Sequence, residues 1–217
     1  MRTRIVFDLD GTLIDSAPDI RAIANRLLAP HGAQITLAQT HGFIGNGVAT
    51  FIERMLAAVA LPAALHADLL PRFQQAYLSG VDLTTVYPQV HATLGILQAQ
   101  GHALGICTNK PLAPCMAVMD HLALTPFFET FWGGDSLAVR KPDPAPLRAA
   151  LAALGDGPWI YVGDSEVDAQ TALGAGVPFV LYTKGYRKSA VEQIPHAVAF
   201  DDYAQLPALV TRYAGSP

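Results

Sequence analysis

Apolar residues recur along this chain with two different periods. Near the N-terminus, Ile5-Val6-Phe7 is an unbroken run of β-formers, the pattern of a strand buried on both faces. From residue 16 to 80 the period is helical. Pro18 suits a first helical turn and Asp19 the positive end of a helix dipole. Ile20, Ile23, Ala24, Leu27 and Leu28 then fall on one face, with Gly32 as a stop. Residues 41–47 read as a loop, with Asn46 a candidate cap for a second helix. The stripe of that helix is Val48, Phe51, Ile52, Met55, Leu56 and Val59, and Pro62 ends it. A third helix runs to about Ser79, with a kink expected at Pro71. The Met and aromatic residues of these stripes are expected to be core.

From Asp82 onward strands and helices alternate. Runs at 102–107, 159–162 and 177–182 read as strands, with shorter ones at Phe131-Trp132 and 197–200. Between them lie helical patterns opening at Tyr87-Pro88 and spanning 111–122, an Ala/Leu-rich stretch to Leu154, and 165–175. Such alternation predicts parallel βαβ units. The expected fold class is α/β: an open parallel Rossmann-like sheet with an inserted small helical cap domain. Residues 1–15 plus 81–217 form the core, and residues 16–80 the cap.

Composition narrows the function classes. Of 217 residues, 51% are hydrophobic and 15% charged, which fits a compact globular chain. A net charge of −4 gives no reason to expect nucleic acid, although a local site can still take an anion. Cys107 and Cys115 are too few for a disulfide framework and lack metal-type spacing; Cys107, ending an apolar run, reads as a small core residue. The histidines show neither HxH nor HExxH spacing, so zinc is not expected. An acidic pair follows Arg2 and Arg4 at once, unlike a signal peptide, and no apolar run reaches membrane-spanning length. A cytoplasmic monomer or homodimer is expected, with no nucleic-acid or membrane partner.

The chemistry gathers at strand ends. Asp8 and Asp10 follow the first strand, and Gly11 lets the chain turn away. In open parallel sheets ligands bind beyond the carboxyl ends of the strands. Two carboxylates this close repel, and a cation between them is the natural resolution; hard oxygen ligands with room for water suit Mg²⁺. Further polar pieces lie at later boundaries: Thr108-Asn109, Lys141-Pro142-Asp143, and Gly163-Asp164-Ser165-Glu166-Val167-Asp168. Together they supply a carboxylate nucleophile, a second carboxylate, a hydroxyl, a cation and another acidic pair. Phosphoryl transfer to an aspartate needs this set. Considered singly, Thr108 reads as a polar strand end, Lys110 and Lys141 as solvated lysines, and Asp168 as a helix-surface acid.

These motifs, in this order and over nearly the whole chain, resemble the haloacid dehalogenase superfamily of phosphohydrolases. Within it the chain looks most like the phosphoglycolate phosphatases, on Ile44-Gly45-Asn46-Gly47 with Glu53-Arg54-Met55-Leu56, Cys107-Thr108-Asn109-Lys110-Pro111, the Gly163 to Asp168 piece, and Gly185-Tyr186. The resemblance implies that Asp8 attacks phosphorus and that Asp10 serves the leaving group and then the water. Thr108 and the Asn109 backbone bind phosphoryl oxygens, and Lys141 neutralises them and holds Asp8. Asp8, the Asp10 carbonyl and Asp164 bind Mg²⁺, with Asp168 in the outer shell. The implied partner is a small anionic phosphate ester, most simply 2-phosphoglycolate. Sugar-phosphate phosphatase or mutase, pyrophosphatase and nucleotidase activities stay open. A receiver-like signalling domain would be shorter, capless and without need of Asp10. A phosphonoacetaldehyde hydrolase needs a cap lysine, and residues 16–80 contain none. A carboxylate on the leaving group needs a cation or several donors. Arg54, off the apolar stripe, and Asn46 with its loop amides are the expected readers.

Overall fold

The computed structural model describes residues 2–214. Residues 1 and 215–217 of the expected core lie outside the described residues. In chain order the strands are β1 (Arg4–Phe7), β2 (Ile14–Asp15), β3 (Thr85–Val86), β4 (Ala103–Cys107), β5 (Thr130–Trp132), β6 (Trp159–Gly163), β7 (Phe179–Tyr182) and β8 (Val198–Phe200). The helices are α1 (Ala17–Leu28), α2 (Leu37–Phe43), α3 (Val48–Ala58), α4 (His66–Tyr77), α5 (Val90–Ala99), α6 (Leu112–His121), α7 (Ala145–Ala153), α8 (Glu166–Ala175) and α9 (Leu206–Tyr213).

A six-stranded sheet has the order β5-β4-β1-β6-β7-β8, with every pairing parallel. Its strands alternate between two cores. Ile5 and Phe7 face one with Leu104, Ile106, Ile160 and Val162, covered by α5, α6 and α9. Val6 faces the other with Cys107, Tyr161 and Leu181, covered by α7 and α8. Burial on both faces explains the unbroken apolar runs of the central strands. The chain leaves β1 toward β4 and β5, then returns to β6 on the opposite side. The carboxyl ends of β4, β1 and β6 therefore flank a topological switch point, where a doubly wound sheet opens a crevice.

Helices α1 to α4 pack around a separate apolar cluster that includes Ile20, Leu27, Phe51, Ile52, Met55, Leu69 and Phe73. Here the structure adds to the expected pattern. Residues 41–43 are the end of α2 rather than loop; that helix is set by a capping box between Thr36 and Gln39. Asn46 does not cap α3, because Gly47, at φ +84°, occupies the N-cap position. Helix α4 runs through Pro71 without a break. Between sheet and helices, β2 and β3 pair antiparallel, joining the two linkers into a short ribbon. Asp19 is buried and accepts from Leu83 N (2.9 Å) and Thr84 Oγ1 (2.6 Å), so it holds the returning linker.

Candidate active site

Parallel pairing carries the polar ends of β4, β1 and β6 to one edge. Asp8 N donates to Val162 O (2.9 Å) and Thr108 N to Trp132 O (2.9 Å), so both backbones stay in register just past their strands. Asp8, Asp164 and Asp168 are buried, and each offers a carboxylate oxygen within 4.8 Å of the others. Lys141 Nζ stands 2.9 Å from Asp8 Oδ1 as an ion pair, yet that oxygen has no partner in hydrogen-bond geometry. Burial pushes the Asp8 carboxyl up to about 7, with Lys141 pulling it down and Asp168 adding to the rise. Asp164 is also driven well up by burial, Asp168 and Asp8, although Thr12 Oγ1 (2.7 Å) and Tyr186 N (2.6 Å) donate to it. Lys141 thus pairs with two of the three buried carboxylates, Asp8 and Asp168, and among the described residues no ion pair reaches Asp164. An all-oxygen set short of positive charge fits a small hard divalent cation.

Lys141 is itself held by Asp168 Oδ1 (2.6 Å) and the Tyr161 hydroxyl (2.9 Å). Asp168 Oδ2 accepts from Ser165 Oγ (2.6 Å) and Ser165 N (3.1 Å), a capping box at the start of α8. Both its oxygens are engaged and the residue is fully buried, so Asp168 is not a helix-surface acid; it supports Lys141. Gly163, which precedes the acidic piece, has no room for a side chain, since a Cβ there would meet Asp168 Cβ at 2.6 Å.

Asp10 lies on the turn after β1. Its Oδ1 accepts from Ser16 Oγ (2.6 Å) and Lys110 Nζ (3.1 Å). Lys110 is buried rather than solvated and also donates to the Tyr77 hydroxyl of α4 (2.5 Å). Asp10 and Tyr77 together keep its ammonium well above the ordinary lysine range despite burial. The sequence carried one signal for Lys110, its place directly after Thr108-Asn109. Tyr77 carried none, being one aromatic on an apolar stripe. Gly11, at φ +86°, brings the turn so close to Asp164 that a Cβ would meet Asp164 Oδ2 at 2.5 Å.

Thr108 Oγ1 accepts from Lys110 N (3.2 Å), and its hydroxyl donates to no protein group among the described residues. Asn109 Nδ2 donates to Lys141 O and to Gly45 O (both 2.9 Å), so its side chain ties the α2–α3 turn to the sheet edge. The pocket at this edge is partly open to solvent and has a cavity volume of about 70 Å³, room for a small ester. Its helical wall is largely apolar, made by Ile20, Ile44, Val48, Phe51 and Phe73. Asn46 lines it; Arg54 does not. The Arg54 guanidinium donates instead to Phe43 O (3.1 Å) and Asn46 Oδ1 (2.9 Å), bracing the α2–α3 turn. Tyr186 and Lys188 also line the pocket and carried no signal beyond the Gly185-Tyr186 pair.

The family model for haloacid dehalogenase-like hydrolases matches residues 5–182. The chain belongs to this family. It is 49% identical over 212 residues to a phosphoglycolate phosphatase of Cereibacter sphaeroides, covering 96% of this chain and 97% of that one. It is 40% identical to a phosphoglycolate phosphatase of Rhodobacter capsulatus over the full length of both. A solved structure described as a predicted phosphoglycolate phosphatase from Haemophilus somnus superposes with a TM-score of 0.90 at 30% identity, covering 96% of this chain and 98% of that one. This haloacid dehalogenase-like chain is a phosphatase. Among its described residues no helix is long and apolar enough to cross a membrane.

Proposed function

We propose that the protein hydrolyses 2-phosphoglycolate to glycolate and phosphate, with Mg²⁺, through a phosphoryl group carried on Asp8. One observation carries the reading: Asp8, Asp164 and Lys141 converge at the switch point with Asp10 beside them. Residues 16–80 act as a cap over a core of 1–15 plus 81–217. The substrate class rests on the relatives that span the whole chain.

Asp8 attacks phosphorus while the phosphorus–ester oxygen bond breaks, and Asp10 passes a proton to the departing alkoxide. Asp10 then takes a proton from the water that attacks the aspartyl phosphate, releasing phosphate and restoring the Asp8 carboxylate. Lys110 and Ser16 hold Asp10 in one rotamer through both halves. Thr108 donates to a phosphoryl oxygen, and so does the Asn109 backbone. Lys141, locked by Asp168 and Tyr161, meets the equatorial charge. The Asp8 and Asp164 side chains with the Asp10 carbonyl would hold Mg²⁺, and Asp168 stays in its outer shell. When bound, the ion neutralises charge on the nucleophile and the transferring group.

The test is turnover of a panel of small phosphate monoesters, with pyrophosphate and nucleotides included, run beside melting curves. Mg²⁺ is expected to raise the melting temperature of the stripped protein, and Asp164→Asn to lose that rise. Phosphoglycolate is expected to give the highest kcat/KM. Preference for a sugar phosphate, pyrophosphate or nucleotide would move the substrate, and full activity in excess EDTA would remove the metal.

A further inference from the structure

We propose that Lys188 reads the carboxylate of the leaving group, with the side-chain amide of Asn46 as a second donor from across the pocket. The inference rests on the phosphoglycolate reading and names the residue that gives it selectivity.

A substrate carboxylate carried under the cap leaves water and needs a cation. Three lysines line the pocket: Lys110, Lys141 and Lys188. Lys110 is spent on Asp10 and Tyr77, and Lys141 on Asp8, Asp168 and Tyr161. The cap offers no cation to the pocket, since its wall is apolar and Arg54 is committed to Phe43 O and Asn46 Oδ1. Among the described residues, the Lys188 ammonium makes no ion pair within 4.0 Å.

The backbone around Lys188 is nevertheless fixed. Glu166 Oε1 accepts from Lys188 N (2.8 Å) and Ser189 N (2.6 Å), anchoring this loop to the first turn of α8, two residues beyond Asp164. The side chain thus springs from a point set relative to the acidic cluster while its ammonium stays unpaired. Desolvation and the like charge of Arg54 lower the Lys188 ammonium below its ordinary range, although the Glu166 carboxylate opposes the shift. An anion bound beside Lys188 would offset that shift. By taking Asn46 Oδ1, Arg54 also fixes the amide orientation and leaves Asn46 Nδ2 as the group to donate.

The decisive comparison is 2-phosphoglycolate against its neutral isostere phosphoglycolamide, measured as a ratio of kcat/KM. Wild type is expected to favour the acid. In Lys188→Met the ratio should fall by roughly 10- to 100-fold, the range for losing a hydrogen bond to a charged group. Lys188→Arg should recover most of it, and Lys188→Gln should behave like Met. A wild type that does not prefer the acid would overturn the phosphoglycolate reading itself. A wild type that prefers it, with Met and Gln variants keeping the ratio, would overturn the role of Lys188 and leave the substrate in place.

Discussion

The sheet side of the pocket holds Asp8, Asp10, Lys110, Lys141 and Asp164, largely buried, with Lys110 paired to Asp10 and Lys141 to Asp8 and the underlying Asp168, whereas the helical side presents Ile20, Ile44, Val48, Phe51 and Phe73. The two walls respond differently to change. Removing one partner of a buried ion network strands the others, at a cost of ~3–5 kcal/mol. Exchanging one apolar wall residue for another of similar volume usually costs less than ~1.5 kcal/mol. One wall is therefore nearly invariant in what it can do, and the other can be reshaped around different leaving groups without disturbing the phosphoryl site. Selectivity then depends on the few polar groups where the walls meet.

Breaking the sheet side should have the largest effect. Asp8→Asn is expected to lower turnover by at least ~10⁴-fold, with no phosphorylated protein trapped in rapid quench. Turnover near the wild-type rate would mean that the nucleophile lies elsewhere. The helical side should fail in stability rather than chemistry. Leu69 is fully buried in the α1–α4 cluster and does not line the pocket, so Leu69→Ala should cost ~2–5 kcal/mol in urea denaturation while activity per folded molecule persists. A collapse in kcat without loss of stability would show that the packing of these helices takes part in the chemical step. The smallest effect is expected at Arg54. Arg54→Ala removes a brace of the Asn46 turn and should lower kcat/KM on phosphoglycolate by roughly 2- to 5-fold. A loss as large as that of Lys188→Met would return the carboxylate to Arg54.

The central strands were legible because burial on both faces writes itself as unbroken Ile/Val runs, and their polar ends follow directly. Helix α2 was not, because Gly42 interrupts its seven residues and only Thr40 is buried, leaving no stripe to find. The β2–β3 ribbon has two residues per strand, too few for any period. Lys110 shows a different limit. Composition favours solvent for a lysine, and only the arrival of Asp10 and Tyr77 from distant parts of the chain makes its burial affordable. Buried Arg4 is alike: its guanidinium reaches the carbonyls of Gly155 (2.7 Å) and Leu151 (3.3 Å) beyond the end of its strand. For Arg54, helical spacing correctly put the side chain off the apolar stripe, but spacing carries no information about which acceptor it meets.

Tyr186 touches three parts of the molecule at once. Its amide donates to Asp164 (2.6 Å), its hydroxyl donates to Asp15 (2.6 Å) and accepts from Ser16 N (2.8 Å), and its ring stacks on His41 at 4.9 Å between centroids. Asp164 belongs to the acidic cluster, Asp15 and Ser16 to the linker entering α1, and His41 to α2. Linkage is reciprocal: if closure of the helices over the pocket favoured a cation at Asp164, a bound cation would favour closure by the same free energy. Through this one residue, filling the site and shutting it would draw on a single equilibrium.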